Sequence, residues 1–171
     1  MKLKKLLPNS YSKKITNKSV ASFSYSYEST IAKSLRERDY ATLKIDFNKI
    51  LNEFSYESIH SFKEYAFRDI YKVILQIIGY NTYTEYQTSM GRSDLCFEDD
   101  QHLYICEFKV IGRSDSVKNK LEEAKQQIKE KRYCLRLTDK EVIALAVVII
   151  NENKKDGHAP MREVAAIEEA L

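Results

Sequence analysis

Glycine and proline are scarce in this chain, with four and two in 171 residues. That excludes a collagen-like or Pro/Gly-rich disordered protein, and no stretch reads as a linker. Cysteine is equally sparse: Cys96, Cys106 and Cys134 are an odd number with no CxxC or Cys/His spacing. They frame neither a disulfide scaffold nor a zinc site, and they suit a reducing cytoplasm. The three histidines, His60, His102 and His158, share no ligand spacing. A long apolar run is missing too. MKLKKLL is stopped at Pro8 and followed by polar YSKKITNK, so neither a signal peptide nor a membrane span is expected. Nothing resembles a nucleophilic serine or cysteine triad, and there is no GxxxxGK[ST] phosphate loop.

What is present is ordinary for a soluble globular protein: 43% apolar and 31% charged residues. The length suits one domain with a short extension, able to bury roughly two-thirds of its unfolded surface. The net charge of +3 is unevenly placed, because residues 1–20 hold six lysines and no acid. The remaining 22 basic residues face 25 acidic ones, a net −3, which excludes a globally basic nucleic-acid binder. Residues 113–140 carry nine Lys or Arg against five acids, a local basic face of the kind most often simply solvated.

Periodicity divides the chain into elements. SVASFSYSY (19–27) alternates as a short strand or extended arm. Ile31, Ala32 and Leu35, then Leu43, Phe47, Ile50, Leu51 and Phe54, predict two short helices, with Asp39 capping the second. Ser61-Phe62-Lys63-Glu64 has the form of a capping box. It opens a helix whose expected stripe is Phe62, Tyr65, Ala66, Ile70, Val73, Ile74, Ile77 and Ile78, ended by Gly79. YTEYQ (83–87), SDLCFE (93–98) and LYICEFKV (103–110) predict a three-strand meander, turning at 89–91 and 99–102. Asp115-Ser116 starts a helix with Val117, Leu121, Ala124, Ile128 and Leu135 on one side. VIALAVVII (142–150) reads as a strand covered on both faces, and Pro160 as the start of a short helix bearing Val164, Ile167 and Leu171.

The chemistry concentrates at residues 91–109, GRSDLCFEDDQHLYICEFK. Alternation puts Leu103, Ile105, Glu107 and Lys109 on one face of a strand and Tyr104, Cys106, Phe108 and Val110 on the other. If 99–102 form a four-residue loop, paired positions sum to 201 and Asp94 faces Glu107. A two-residue turn pairs Asp94 with Ile105 and leaves the carboxylates as diagonal neighbours on the same face; an odd-length loop or a bulge separates them. Two carboxylates about 5 Å apart repel by about 3 kcal/mol at an effective dielectric near 20. Lys109 supplies one positive charge against two negative, so the arrangement invites a divalent cation with oxygen ligands, Mg²⁺ or Mn²⁺. A lysine beside such a cation can orient an attacking water. The Glu-x-Lys triplet alone says nothing: sixteen glutamates and twenty lysines give about two by chance, and the chain has three, at Glu107, Glu123 and Glu152. Only the first ends an apolar strand with an aspartate opposite. The competing account is a salt-bridge ladder on a half-exposed hairpin.

The order helix, three strands, helix, strand, with Asp94 and then Glu107-Phe108-Lys109, resembles the restriction-endonuclease-like core of the PD-(D/E)xK nuclease superfamily. More narrowly, RERDYATLKIDFNKIL, Glu64 before an apolar run and Gly79-Tyr80, TEYQTSMGRSDL, YICEFKV and EEAKQQIKEKRY are similar to the nuclease domain at the carboxyl end of bacterial AAA-ATPase-like proteins. Ser93 stands where the family's motif has proline. The resemblance implies an α/β fold, with residues 1–55 an arm and two short helices packed on a 56–171 core. It also implies Mg²⁺ or Mn²⁺ held by Asp94, Glu107 and the Phe108 carbonyl, with Lys109 positioning water. Glu64 matches the first-helix glutamate that can reach the metal, as well as reading as a capping box. Gln127 and Tyr133 match the Gln and Tyr of the helix over the site, at a different spacing, and Glu85 and Arg92 match further elements. Structural use, a strand salt bridge and a turn arginine, competes for these last two. The implied activity is phosphodiester hydrolysis, of DNA. The missing phosphate loop makes the chain a detached module or a fragment, with any AAA-ATPase partner separate. The alternative is an inactive restriction-like module that binds nucleic acid or such an ATPase.

Overall fold

The structure, a computed structural model, describes residues 30–55, 61–84, 87–88 (backbone only), 91–131, 139–153 and 160–170. The expected strand at 19–27 and residues Glu85, Tyr86, Tyr133, Leu135 and His158 lie outside the described residues. Helix α1 spans 30–37 and α2 Tyr40–Leu51, buried through Ile31, Leu35, Leu43, Phe47, Ile50 and Leu51, as their spacing predicts. Asp39 caps α2: its carboxylate accepts from the Thr42 N–H at 3.0 Å. Arg38, at φ 56°, makes the turn between the helices and pairs with Glu141 and Glu169.

Helix α3 covers Glu64–Ile77. The capping box does not form: the N-cap is Lys63, with no side-chain cap bond, and Glu64 is already helical. The expected stripe is also out of phase. The buried face is Phe67, Tyr71 and Leu75, with Ile74 and Ile78 partly covered, whereas Tyr65, Val73 and Ile77 are exposed. This segment carries apolar residues at two phases. The face with two aromatic rings buries more area, and it is the one that packs. Gly79, at φ 99°, ends the helix as expected: its N–H reaches the Gln76 carbonyl and the Tyr80 N–H that of Leu75.

The strands are β1 Asn81–Thr84, β2 Gln87–Thr88, β3 Gly91–Arg92, β4 Leu95–Glu98 and β5 His102–Ile111. They are followed by α4 Val117–Glu130, β6 Glu141–Glu152 and β7 Met161–Glu169. The main sheet has the order β1-β4-β5-β6-β7, with only β5 and β6 parallel, while β2 and β3 form a small separate ladder. The protein is thus the mixed α/β restriction-endonuclease-like fold expected. Ser116 caps α4, accepting from the Asn119 N–H.

The chain's end departs from expectation: residues 161–169 are an edge strand, not a helix. Val148 pairs with Ala166 and Ile149 with Val164, so Ala165 is an extra residue. That bulge returns Val164 and Ile167 to the same buried face, producing the three-residue spacing that imitates a helix. The amide of Asn48 on α2 binds both the N–H (2.6 Å) and the carbonyl (3.1 Å) of Val164, satisfying the edge where, among the described residues, no further strand lies.

Two cores flank the sheet. On one side α1, α2 and α3 pack on Tyr104, Cys106, Phe108, Val147 and Ile149. On the other, Leu121, Ala124 and Ile128 of α4 meet Leu103, Ile105, Ala144, Ala146 and Val148. Strand β6 turns Ile143, Leu145, Val147 and Ile149 toward the three helices and, among its residues toward α4, Ala144 and Ala146 are small enough to allow that helix a close approach.

Candidate active site

Strand pairing decides which charges meet. Leu95 pairs with Cys106 and Glu98 with Leu103, the register whose sum is 201. The turn is held by Asp99, whose Oδ1 accepts from the N–H groups of Gln101 (2.9 Å) and His102 (2.7 Å). Asp94 therefore stands one residue before the ladder, at the position opposite Glu107.

Because β4 begins only at Leu95, β5 runs on past Cys106 without a β4 neighbour, and its backbone there needs other partners. Two carboxylates provide them. Asp94 Oδ2 accepts from the Phe108 N–H at 2.8 Å, and Glu64 Oε1 from the Val110 N–H at 3.4 Å. The Phe108 carbonyl lies on the same strand edge as its N–H, beside Asp94. The Phe108 ring is on the opposite face, stacked on Tyr71 at 5.8 Å, which anchors this part of the strand.

Glu107 is 1% exposed, and its register neighbour on β6 is Ala146, small enough to leave room for α4's side chains. The ammonium groups of Lys109 and Lys131 each lie 3.6 Å from Glu107 Oε1. Lys109 also donates to Gln127 Oε1 at 2.7 Å and lies 4.0 Å from Glu123. Glu123's carboxyl is held below its ordinary value, first by the hydrogen bond from Lys120, against burial, and then by the charges of Lys120 and Lys109. Glu123, Gln127 and Lys131 follow one another at four-residue intervals, a polar stripe laid over Glu107 and Lys109.

The sequence shows Lys131 only as one of the cations of the basic face of 113–140. The available signal was its position one turn beyond Gln127. Its ammonium also donates to the Arg92 carbonyl at 3.2 Å. Gly91, at φ 151°, lies directly beneath its stem: a Cβ there would sit 2.9 Å from Lys131 Cγ.

Asp94, Glu64 and Arg92 line one cleft of about 570 Å³, together with Lys63, Tyr65 and Arg68. Tyr80 is core, packed on Phe97 and Tyr104, and the Tyr83 hydroxyl donates to Glu98. His102 pairs with Asp99 and lies 3.6 Å from Glu141.

A model of the PD-(D/E)XK nuclease superfamily matches residues 62–158. The chain belongs to that superfamily. No match was found among curated proteins or solved structures. The PD-(D/E)XK match takes in α3, the β1–β5 strands, α4 and β6, and so every group described at this site. Members of the superfamily are usually nucleases and typically use divalent metals such as Mg²⁺.

Among the described residues no three His, Cys, Asp or Glu side chains gather as a metal cage. Mg²⁺ does not require one, since it commonly takes one or two carboxylates and keeps several waters. The hard oxygen donors of Asp94, Glu107 and the Phe108 carbonyl fit it in kind. Among the described residues no helix is long and apolar enough to cross a membrane.

Proposed function

We propose that this PD-(D/E)XK chain hydrolyses phosphodiester bonds of DNA, using Mg²⁺ or Mn²⁺ at Asp94, Glu107 and Phe108 with Lys109 as the water-positioning group. The observation that carries this reading is the β4–β5 register, which sets Asp94 opposite Glu107 where the β4 ladder ends and the Phe108 carbonyl is left beside the carboxylate.

When bound, the cation supplies Lewis-acid polarisation of the phosphoryl oxygen and easier formation of hydroxide at neutral pH. The chain's own groups do the rest. Asp94 and Glu107, with the Phe108 carbonyl, would hold the cation. Lys109, fixed between Glu107 and Gln127, directs a water toward phosphorus and stabilises the negative charge that develops. Gln127 is a positioning residue for that ammonium. Glu64 of α3, held by the Val110 N–H at the next edge position of β5, would be a further carboxylate toward the cation. Arg92, on the cleft wall, meets a phosphate of the bound strand.

The test is cleavage of DNA by the purified protein in Mg²⁺ or Mn²⁺ beside Lys109→Ala and Glu107→Gln. Each substitution is expected to lower the rate by about a hundredfold or more. Undiminished cleavage in both variants would place the chemistry elsewhere. A second reading, a non-catalytic module that binds nucleic acid or a partner AAA-ATPase, is favoured by one observation: two ammonium groups already neutralise Glu107. Salt-sensitive DNA binding without cleavage would support it. A cytoplasmic setting fits the buried free thiols of Cys96 and Cys106.

A further inference from the structure

The cleft beside Asp94 and Glu64 has an aromatic wall that hydrolysis does not use. Tyr65, in the first turn of α3, lines it while remaining 60% exposed. We infer that this cleft is a subsite for one unpaired nucleotide, its base stacked on Tyr65 and its phosphate held between Lys63 and Arg92. The inference rests on the nuclease reading and narrows its substrate to a strand with an unpaired base next to the bond that is cut.

Two observations converge on this. The cleft's volume, about 570 Å³, is that of a pocket for one small organic group rather than a trough for a duplex. Its lining combines the exposed Tyr65 ring with three cationic side chains, Lys63, Arg68 and Arg92, against two carboxylates, Glu64 and Asp94, and a ring with surplus cations binds single strands by stacking and backbone attraction. Inside a continuous duplex both faces of every base are covered by neighbours. A base can therefore lie on Tyr65 only if it comes from a single strand, an end or an extruded nucleotide.

The experiment is metal-free binding, in EDTA, of a short fluorescein-labelled oligodeoxythymidylate, with long linear duplex DNA as competitor counted per base pair. Tyr65→Ala should weaken single-strand binding about tenfold, Tyr65→Phe should preserve it, and duplex competition should change in neither. Lys63→Ala should weaken single-strand binding and flatten its salt dependence. Unchanged single-strand affinity in Tyr65→Ala, an equal loss for duplex, or no binding of the oligonucleotide by the wild type would each overturn the subsite. Because no metal is present, the nuclease reading fails separately. Tyr65-dependent binding in a protein that never cleaves would remove the catalytic proposal and leave the subsite standing.

Discussion

Glu107→Gln removes a carboxylate assigned to metal binding, and it should also destabilise the metal-free protein. Glu107 is buried, with the ammonium groups of Lys109 and Lys131 each 3.6 Å from one oxygen. At an effective dielectric near 20, each pair attracts by about 4.6 kcal/mol. Desolvation of the buried carboxylate offsets several kcal/mol of that sum. A glutamine leaves two neighbouring cations without the charge between them. Lys109 keeps Gln127 and Glu123, and Lys131 keeps the Arg92 carbonyl, so the expected net cost is about 2–3 kcal/mol. Lys131→Met leaves Glu107 paired with Lys109 and should cost about 1–2 kcal/mol. The double variant then loses less than the sum, with a coupling of about 1 kcal/mol or more. Urea unfolding in EDTA, followed by circular dichroism at constant m, measures all three. Additivity within about 0.5 kcal/mol would refute the proposed link between positions 107 and 131. A stabilising Glu107→Gln would show that repulsion from Asp94 dominates instead.

Two further predictions concern the scaffold. Asp99→Ala should cost about 1–2 kcal/mol, because its carboxylate holds two backbone N–H groups of the β4–β5 turn. Burial raises the Asp99 pKa, but the hydrogen bonds from His102 and Gln101 outweigh it and leave the carboxyl below 3.8. Its stabilisation is therefore complete above 3.8 and fades as pH falls through the lower folded value, so the wild-type and variant unfolding curves should converge in acid. Asn48→Leu should cost about 2 kcal/mol by leaving the Val164 N–H and carbonyl without their partner. Faster amide exchange at Val164 is the local readout, and unchanged exchange would sink the edge-cap account.

The hairpin was legible because its rules are exact integers. Side chains alternate with period two, and the loop length sets the sum of paired positions, so Asp94, Glu107 and the two faces of β5 followed from counting. The helical caps at Asp39 and Ser116 were equally local. Failures came where the deciding partner is distant. Ser61 and Glu64 have capping-box spacing, yet Glu64 turns to the Val110 N–H on β5. Helix α3 offers two apolar stripes, and the sheet, not the helix, selects between them. Residues 161–169 have helical spacing only because Ala165 bulges, a feature fixed by pairing with β6 and by Asn48.

The site itself owes its existence to where a strand stops. Had β4 continued through Asp94 and Ser93 as a regular ladder, the Phe108 N–H and carbonyl would have been consumed by it, and Asp94 would have had no backbone donor to hold it. Ending at Leu95 frees the β5 edge for the Asp94 and Glu64 carboxylates while the chain before it bends away into the β2–β3 ladder. On the adjoining face, Ala144 and Ala146 let α4 settle close enough for its polar stripe to reach Glu107 and Lys109. Lys131 joins the two halves, tied to Glu107 on β5 and to the Arg92 carbonyl on β3 across Gly91. Its position one turn beyond Gln127 is legible in the sequence, but its tie to Arg92 depends on the packing of a helix end against a hairpin. By touching both, Lys131 couples the placement of the Arg92 backbone to the charge at Glu107.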